Sequence, residues 1–366
     1  MKKQLIIIAL AGISFISCTT NDDIANKVTT DSKIDPVFIY DNTAATRNSM
    51  SYDLVNTWVD GDKLGIVSEW DETKSGTFTV NGKTNAKFTY HNSFVYKGHT
   101  YTNRFAQEGL IEGSLSQTDM IGFDNTTDAT HFASLYNFYV YYPYNAAATN
   151  KNSIPFTLSS TQTQTTPNVW TSEAASYNFM WDVSSNLTRP ADLKIPMIMK
   201  RLLPVVEFNI IRDDATLDGY YLTGITMTPT SGTMATGAVT NGIDLTAVSG
   251  YSNLTFGSTA AQYSLDTKGT GSGIQIIDTN VKKDESFSVY MSVPPVASAE
   301  YTVVATFVNG TVTKCITVTR SDAFTITNGK GNLVRYYLKT SKGVEPETNG
   351  NANSATTVTE PLGTNP

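Results

Sequence analysis

Few side chains in this sequence have the type and spacing that chemistry needs. There are three histidines, His91, His99 and His131, and two cysteines, Cys18 and Cys315. On that inventory a histidine-based zinc centre or a cysteine-rich scaffold is nearly excluded. Cys315 sits in the alternating stretch Thr311–Thr319, with every histidine in the other half of the chain, and reads as a small strand filler. Gly269-Thr270-Gly271-Ser272-Gly273 has the glycine density of a phosphate loop. Neither a strand–loop–helix context nor a loop lysine follows it, so it reads as a surface turn. Asp213-Asp214 closes a strand after Arg212, and no pair of carboxylates is set for general acid–base work. The chain is expected to be no enzyme and to need no cofactor or metal.

Cys18 is different. Lys2 and Lys3 form a basic start, and Leu5 to Ile16 an apolar run of the length a signal peptide uses. That run is too short to span about 30 Å of hydrocarbon. It ends at Phe15-Ile16-Ser17-Cys18, the pattern of a lipobox, in which a small residue precedes the cysteine that is acylated. Residues 1–17 are therefore expected to be a lipoprotein signal peptide, with palmitate-type chains on Cys18 holding the protein at the outer membrane. Asp22 and Asp23 are similar to the acidic signals that send some lipoproteins to the cell surface. The competing reading is an ordinary signal peptide with an incidental cysteine.

The elements behind these residues read as strands. The chain has 366 residues, enough for two domains at about 150 each. Hydrophobic residues make up 40% and charged ones 16%, well under the usual quarter, so a core is available and disorder is excluded. The net charge is −7 and no Lys/Arg block occurs, which excludes a nucleic-acid partner. Phe287, Val289, Met291 and Val293 alternate with Ser288, Tyr290 and Ser292, the period of a half-buried strand. Tyr301–Val308 and Thr311–Thr319 flank Asn309-Gly310, and Asn81-Gly82 flanks a similar pair, each predicting a hairpin turn with both residues at positive φ. Further strands are expected at Phe138–Tyr142, Val205–Ile211, Tyr221–Met227 and Leu333–Lys339. No window of 12 residues carries a helical period. The fold class is all-β. Prolines 196 and 204 bracket an apolar run that marks a domain junction. The organisation is thus a tether and first strand over 18–47, β-sandwiches over 48–195 and 196–341, and a flexible polar tail over 342–366.

Two stretches in the first half stand out, Trp58-Val59-Asp60-Gly61-Asp62-Lys63-Leu64-Gly65-Ile66 and Phe138-Tyr139-Val140-Tyr141-Tyr142-Pro143-Tyr144. In the second half come Val289-Tyr290-Met291-Ser292-Val293-Pro294-Pro295, then Phe324 through Gly329-Lys330 into Leu333–Leu338. In that order, and with the leader, they resemble the fimbrillin family, the FimA/Mfa-like subunits of type V pili. The resemblance implies two tandem transthyretin-like β-sandwich domains and export as a lipidated precursor. It also implies removal of an N-terminal segment by an arginine-specific protease and assembly with other pilin subunits, self or accessory, into a surface fimbria.

The residues supply a physical reason for such assembly. Arg47, the first arginine, lies in the small polar stretch Thr43-Ala44-Ala45-Thr46-Arg47-Asn48-Ser49, a good place to cut. Cleavage between Arg47 and Asn48 would let Val37, Phe38, Ile39 and Tyr40 leave their sheet, and another chain could fill the groove by strand addition. The bland reading is a permanent edge strand followed by an ordinary loop arginine. The tail's Val344, Ala352, Ala355, Val358 and Leu362 fit a donor's period of two only in part. The alternative function is a lipidated surface protein that binds glycans or host ligands without polymerising, stacking sugars on Tyr139, Tyr141 and Tyr144. If Cys18 carries the lipid, Cys18→Ala should abolish metabolic labelling with a fatty-acid analogue; undiminished labelling removes the lipoprotein assignment.

Overall fold

The computed structural model describes residues 34–41, 58–70, 85–116, 119–124, 136–168, 177–187, 194–247, 254–276, 286–327, 330–341 and 344–346. Cys18, Arg47, Asn48 and the Asn81-Gly82 turn lie outside them. The fold is all-β: every regular element among the described residues is a strand, and the sheets pack as sandwich-like domains.

The first six strands are β1 (Ile34–Pro36), β2 (Phe38–Asp41), β3 (Lys63–Trp70), β4 (Ala86–Tyr96), β5 (His99–Gln107) and β6 (Gly122–Asp124). Then come β7 (Tyr136–Tyr142), β8 (Thr157–Leu158), β9 (Thr161–Thr163), β10 (Met180–Leu187), β11 (Lys194–Met197) and β12 (Lys200–Arg201). Eight of these form one sheet in the order β11-β2-β5-β4-β3-β7-β10-β12, antiparallel except where β2 runs parallel to β11. Its ends approach each other: Ser184 Oγ on β10 donates to the Pro196 carbonyl on β11 at 3.1 Å. One face of this curled sheet closes over Leu64, Ile66, Phe88, Phe138 and Val140. In the middle of the sheet Gly65 pairs with Tyr141, and a Cβ on Gly65 would lie 2.1 Å from the tyrosine ring. Only glycine fits there. The turn between β4 and β5 is Lys97-Gly98, with φ of 46° and 82°, the two-positive pattern that suits a twisted hairpin.

The remaining strands are β13 (Val205–Ile211), β14 (Tyr221–Pro229), β15 (Met234–Val239), β16 (Phe256–Ala260), β17 (Tyr263–Asp266) and β18 (Ile274–Gln275). They are followed by β19 (Ser286–Ser292), β20 (Val296–Asn309), β21 (Val312–Phe324), β22 (Ile326–Thr327), β23 (Lys330–Gly331), β24 (Leu333–Lys339) and β25 (Val344–Pro346). A sheet β19-β13-β24 faces a longer one, β25-β21-β20-β14-β17-β9, over a core that includes Phe208, Met227, Val303, Phe307 and Tyr336. Hydrogen bonding passes to these sheets between Arg201 and Val205. One segment crosses back: β8 pairs with β15, and β9 runs parallel to β17.

Two expectations are corrected here. The β20–β21 hairpin is real, but Asn309 pairs with Val312, so the central residues are Gly310-Thr311 and only Gly310 (φ 59°) is left-handed. Glycine at the first central position suits a type II′ turn, and the turn slides one residue to place it there. Nor is β19 half-buried, because Ser288, Tyr290 and Ser292 are as inaccessible as Val289 and Met291. Segment 162–168 covers that strand and pairs with its outer edge through side chains. Gln162 Oε1 accepts from Ser292 N at 2.9 Å, Gln164 Oε1 from Tyr290 N at 2.7 Å, and Asn168 Oδ1 from Ser288 N at 2.7 Å. Gly65→Ala should lower the urea midpoint by the roughly 1–3 kcal/mol of an overpacked core; an unchanged midpoint would show that Tyr141 can move aside.

Candidate functional site

The chain's first described strands are the candidate site. β1 pairs antiparallel with β6, Pro36 opposite Gly122, and Val37 N donates to the Ile121 carbonyl at 3.4 Å. β2 then enters the large sheet between β11 and β5. Its register with β11 sets Phe38 opposite Lys194 and Ile39 opposite Ile195, while Ile39 also pairs with Phe105 of β5. β2 is therefore no edge strand; the edge is β11, which corrects the edge position that the bland reading gave residues 37–40.

Val37, Phe38 and Ile39 are each at most 1% exposed. Successive residues of a strand point to opposite faces, so burial of all three means that both faces are covered. Val37 and Ile39 join the inner cluster with Phe105, Ile121, Ile195 and Met197. Phe38 enters a separate cluster on the outer face, with its ring centroid 4.4 Å from Tyr101, 5.8 Å from Phe94 and 6.1 Å from Tyr96. Phe94 and Tyr101 are stacked on each other at 5.1 Å, forming one wall. Alternation slips along β5 to allow this. Asn103 has φ of 53°, and Tyr101 and Ala106 face the outer cluster while Phe105 faces the inner one.

A loop closes the outer cluster with Leu110 and Met120. Gln107 holds that loop, donating from Nε2 to the Asp119 carbonyl and accepting at Oε1 from Ile121 N, both at 2.7 Å. Besides the Ser184–Pro196 bond, the residue after β11 is tied to β10: Ile198 N donates to Asp182 Oδ2 at 2.9 Å. The sequence reading placed a strand at Val37–Tyr40 but missed the Phe94–Tyr101 wall and Gln107.

The other candidates are placed as follows. Tyr141 is fully buried, its hydroxyl donating to Asn85 Oδ1 at 2.6 Å, and burial pushes its pKa above the ordinary tyrosine range. Tyr139 lies under the Lys151 ammonium, 4.7 Å from the ring centroid, with Lys151 also paired to Glu69. Lys87 covers Tyr144 at 5.6 Å. The three tyrosines do not form an open stacking platform, which corrects the sugar-binding arrangement. Cys315 is half-buried on β21, its Sγ 3.9 Å from the Thr306 hydroxyl. Asp213 accepts from Ser341 N at 2.8 Å and Thr340 Oγ1 at 3.1 Å. Burial pushes its pKa up, and these hydrogen bonds outweigh that and hold it below the ordinary value. Gly273 turns the 269–273 loop at φ 109°, where a Cβ would strike the Leu222 carbonyl. Among the described residues no three His, Cys, Asp or Glu side chains gather to hold a metal ion.

No family model matches the chain, and no curated protein matches it in sequence. Solved structures similar to it are adhesion and fimbrial proteins. A candidate cell adhesion protein of Bacteroides ovatus is 13% identical, with a TM-score of 0.48, covering 89% of this chain and 99% of that one. One from Bacteroides uniformis is 16% identical at TM-score 0.45, covering 91% and 100%. A fimbrial assembly protein of Parabacteroides distasonis is 12% identical at TM-score 0.34, covering 86% and 94%.

In the uncut chain, Phe38→Ala should cost about 3–5 kcal/mol in urea denaturation, as removal of a buried phenylalanine does. Val95→Ala, at a site 59% exposed, should stay within about 0.5 kcal/mol. Equal effects would show that the outer cluster does not hold Phe38.

Proposed function

We propose that this chain is a structural or adhesive subunit of a cell-surface fimbria. It is exported as a lipoprotein, held at the outer membrane through Cys18 and cut after Arg47. The cut frees the strand around Val37–Tyr40, and the vacated groove accepts a strand from a neighbouring subunit. One observation carries the reading. The residues just before the expected cut form a short strand seated between β5 and β11, apolar on both faces, with few backbone pairs to its neighbours. Such a strand is both removable and costly to leave unreplaced, which is what strand exchange requires. The similar adhesion and fimbrial structures agree with this reading without carrying it.

N-terminal sequencing of the surface form tests it together with Arg47→Ala. The parent should begin at Asn48, and the variant should keep its acylated Cys18 and drop out of the high-mass, heat-sensitive polymer seen on gels. Equal incorporation of Arg47→Ala would exclude the strand-vacating mechanism.

A further inference from the structure

The groove that residues 34–41 fill has a specific shape. Its inner side accepts Val37 and Ile39 into the cluster that includes Phe105, Ile121, Ile195 and Met197. Its outer side, between those two positions, is a separate aromatic pocket walled by Phe94 and Tyr101 and edged by Tyr96. A donor with apolar side chains at every second position would fill one side and leave the other open. The groove therefore asks for large apolar side chains at three consecutive positions, with a planar ring in the middle. Aromatic rings in such a setting gain from face and edge contacts beyond the area they bury.

Residues 343–366 lack this pattern. They contain no Phe, Tyr or Trp, and their aliphatic side chains larger than alanine, Val344, Val358 and Leu362, are never adjacent. Resting on the acceptor reading above, we propose that the occupant is a strand of the form aliphatic–aromatic–aliphatic from another chain, and not residues 343–366 of a second copy. It runs parallel to β11 and antiparallel to β5, as β2 does.

The test uses the full chain, nicked between Arg47 and Asn48 through an inserted protease site, and fluorescent peptides read by anisotropy. A peptide of residues 34–41 should exchange into the nicked protein. The same peptide with Phe38→Ala should bind at least about 30-fold more weakly, given the usual cost of truncating a buried phenylalanine. A peptide of residues 343–366 should not bind at a hundredfold higher concentration. Because the substitution is in the peptide, the protein's own folding is untouched. Tight binding by residues 343–366, or an unchanged affinity for the Phe38→Ala peptide, overturns the proposed donor chemistry and leaves the acceptor reading standing. Failure of the parent peptide to exchange at all overturns the acceptor reading, and this proposal with it.

Discussion

Three neighbouring side chains, Val37, Phe38 and Ile39, are buried at once in two different clusters, and the N-terminal sheet is organised around them. Through Val37 and Ile39 the inner core reaches β11, which among the described strands pairs with β2 alone. Through Phe38 the outer face acquires a small aromatic cluster that seats the loop carrying Leu110 and Met120. Full burial of one such side chain stabilises by roughly 1.5–3 kcal/mol. Three together compare with the whole net stability of an ordinary domain, about 5–15 kcal/mol. An empty groove is thus not a resting state.

The same geometry says where selectivity would reside. β2 pairs with β11 at four positions and with β5 at one. Those backbone bonds are available to any extended peptide and distinguish nothing. Side chains in alternate pockets distinguish. With few backbone pairs available, the two-sided apolar fit supplies most of what holds a strand here. The strands β3, β4, β7 and β10 are tied to one another by longer ladders.

Much of this could be read from the sequence, because period two survives wherever one face of a strand meets water. Val205–Ile211 and Leu333–Lys339 fall where their apolar runs predict. The triplet Val37-Phe38-Ile39 also carried its signal, since consecutive apolar residues mark a strand covered on both faces. What was not legible came from partners distant in sequence. Ser288, Tyr290 and Ser292 look like a solvated face until segment 162–168 is laid across them. Tyr141 looks like a stacking residue until Gly65, 76 positions earlier, gives its ring a place inside. Asn103 shows in the sequence as an ordinary polar strand residue, yet its backbone is left-handed, with Tyr101 before it in the outer cluster and Phe105 after it in the inner one. Local pattern finds strands; it does not find what covers them.

The molecule closes two sheet margins in opposite ways. At β19, alternate backbone groups are satisfied by the amide side chains of Gln162, Gln164 and Asn168. The segment carrying them is anchored on its other side, where β9 adds to β17 and Thr236 Oγ1 donates to the Leu158 carbonyl at 2.7 Å. It lies mid-chain, so a single cut would leave it attached at one end and bonded along its length. Asn168 adds one backbone bond, its N donating to the Ser288 carbonyl at 2.8 Å, so these edge groups of β19 are already taken. β2 has the reverse properties. It lies near one end of the described chain, is joined onward through a polar stretch with an arginine, and meets its neighbours through backbone groups and apolar pockets that another strand can reproduce. The contrast is between a β19 margin whose backbone groups are taken by a mid-chain segment and a β2 position held by backbone pairs and apolar pockets.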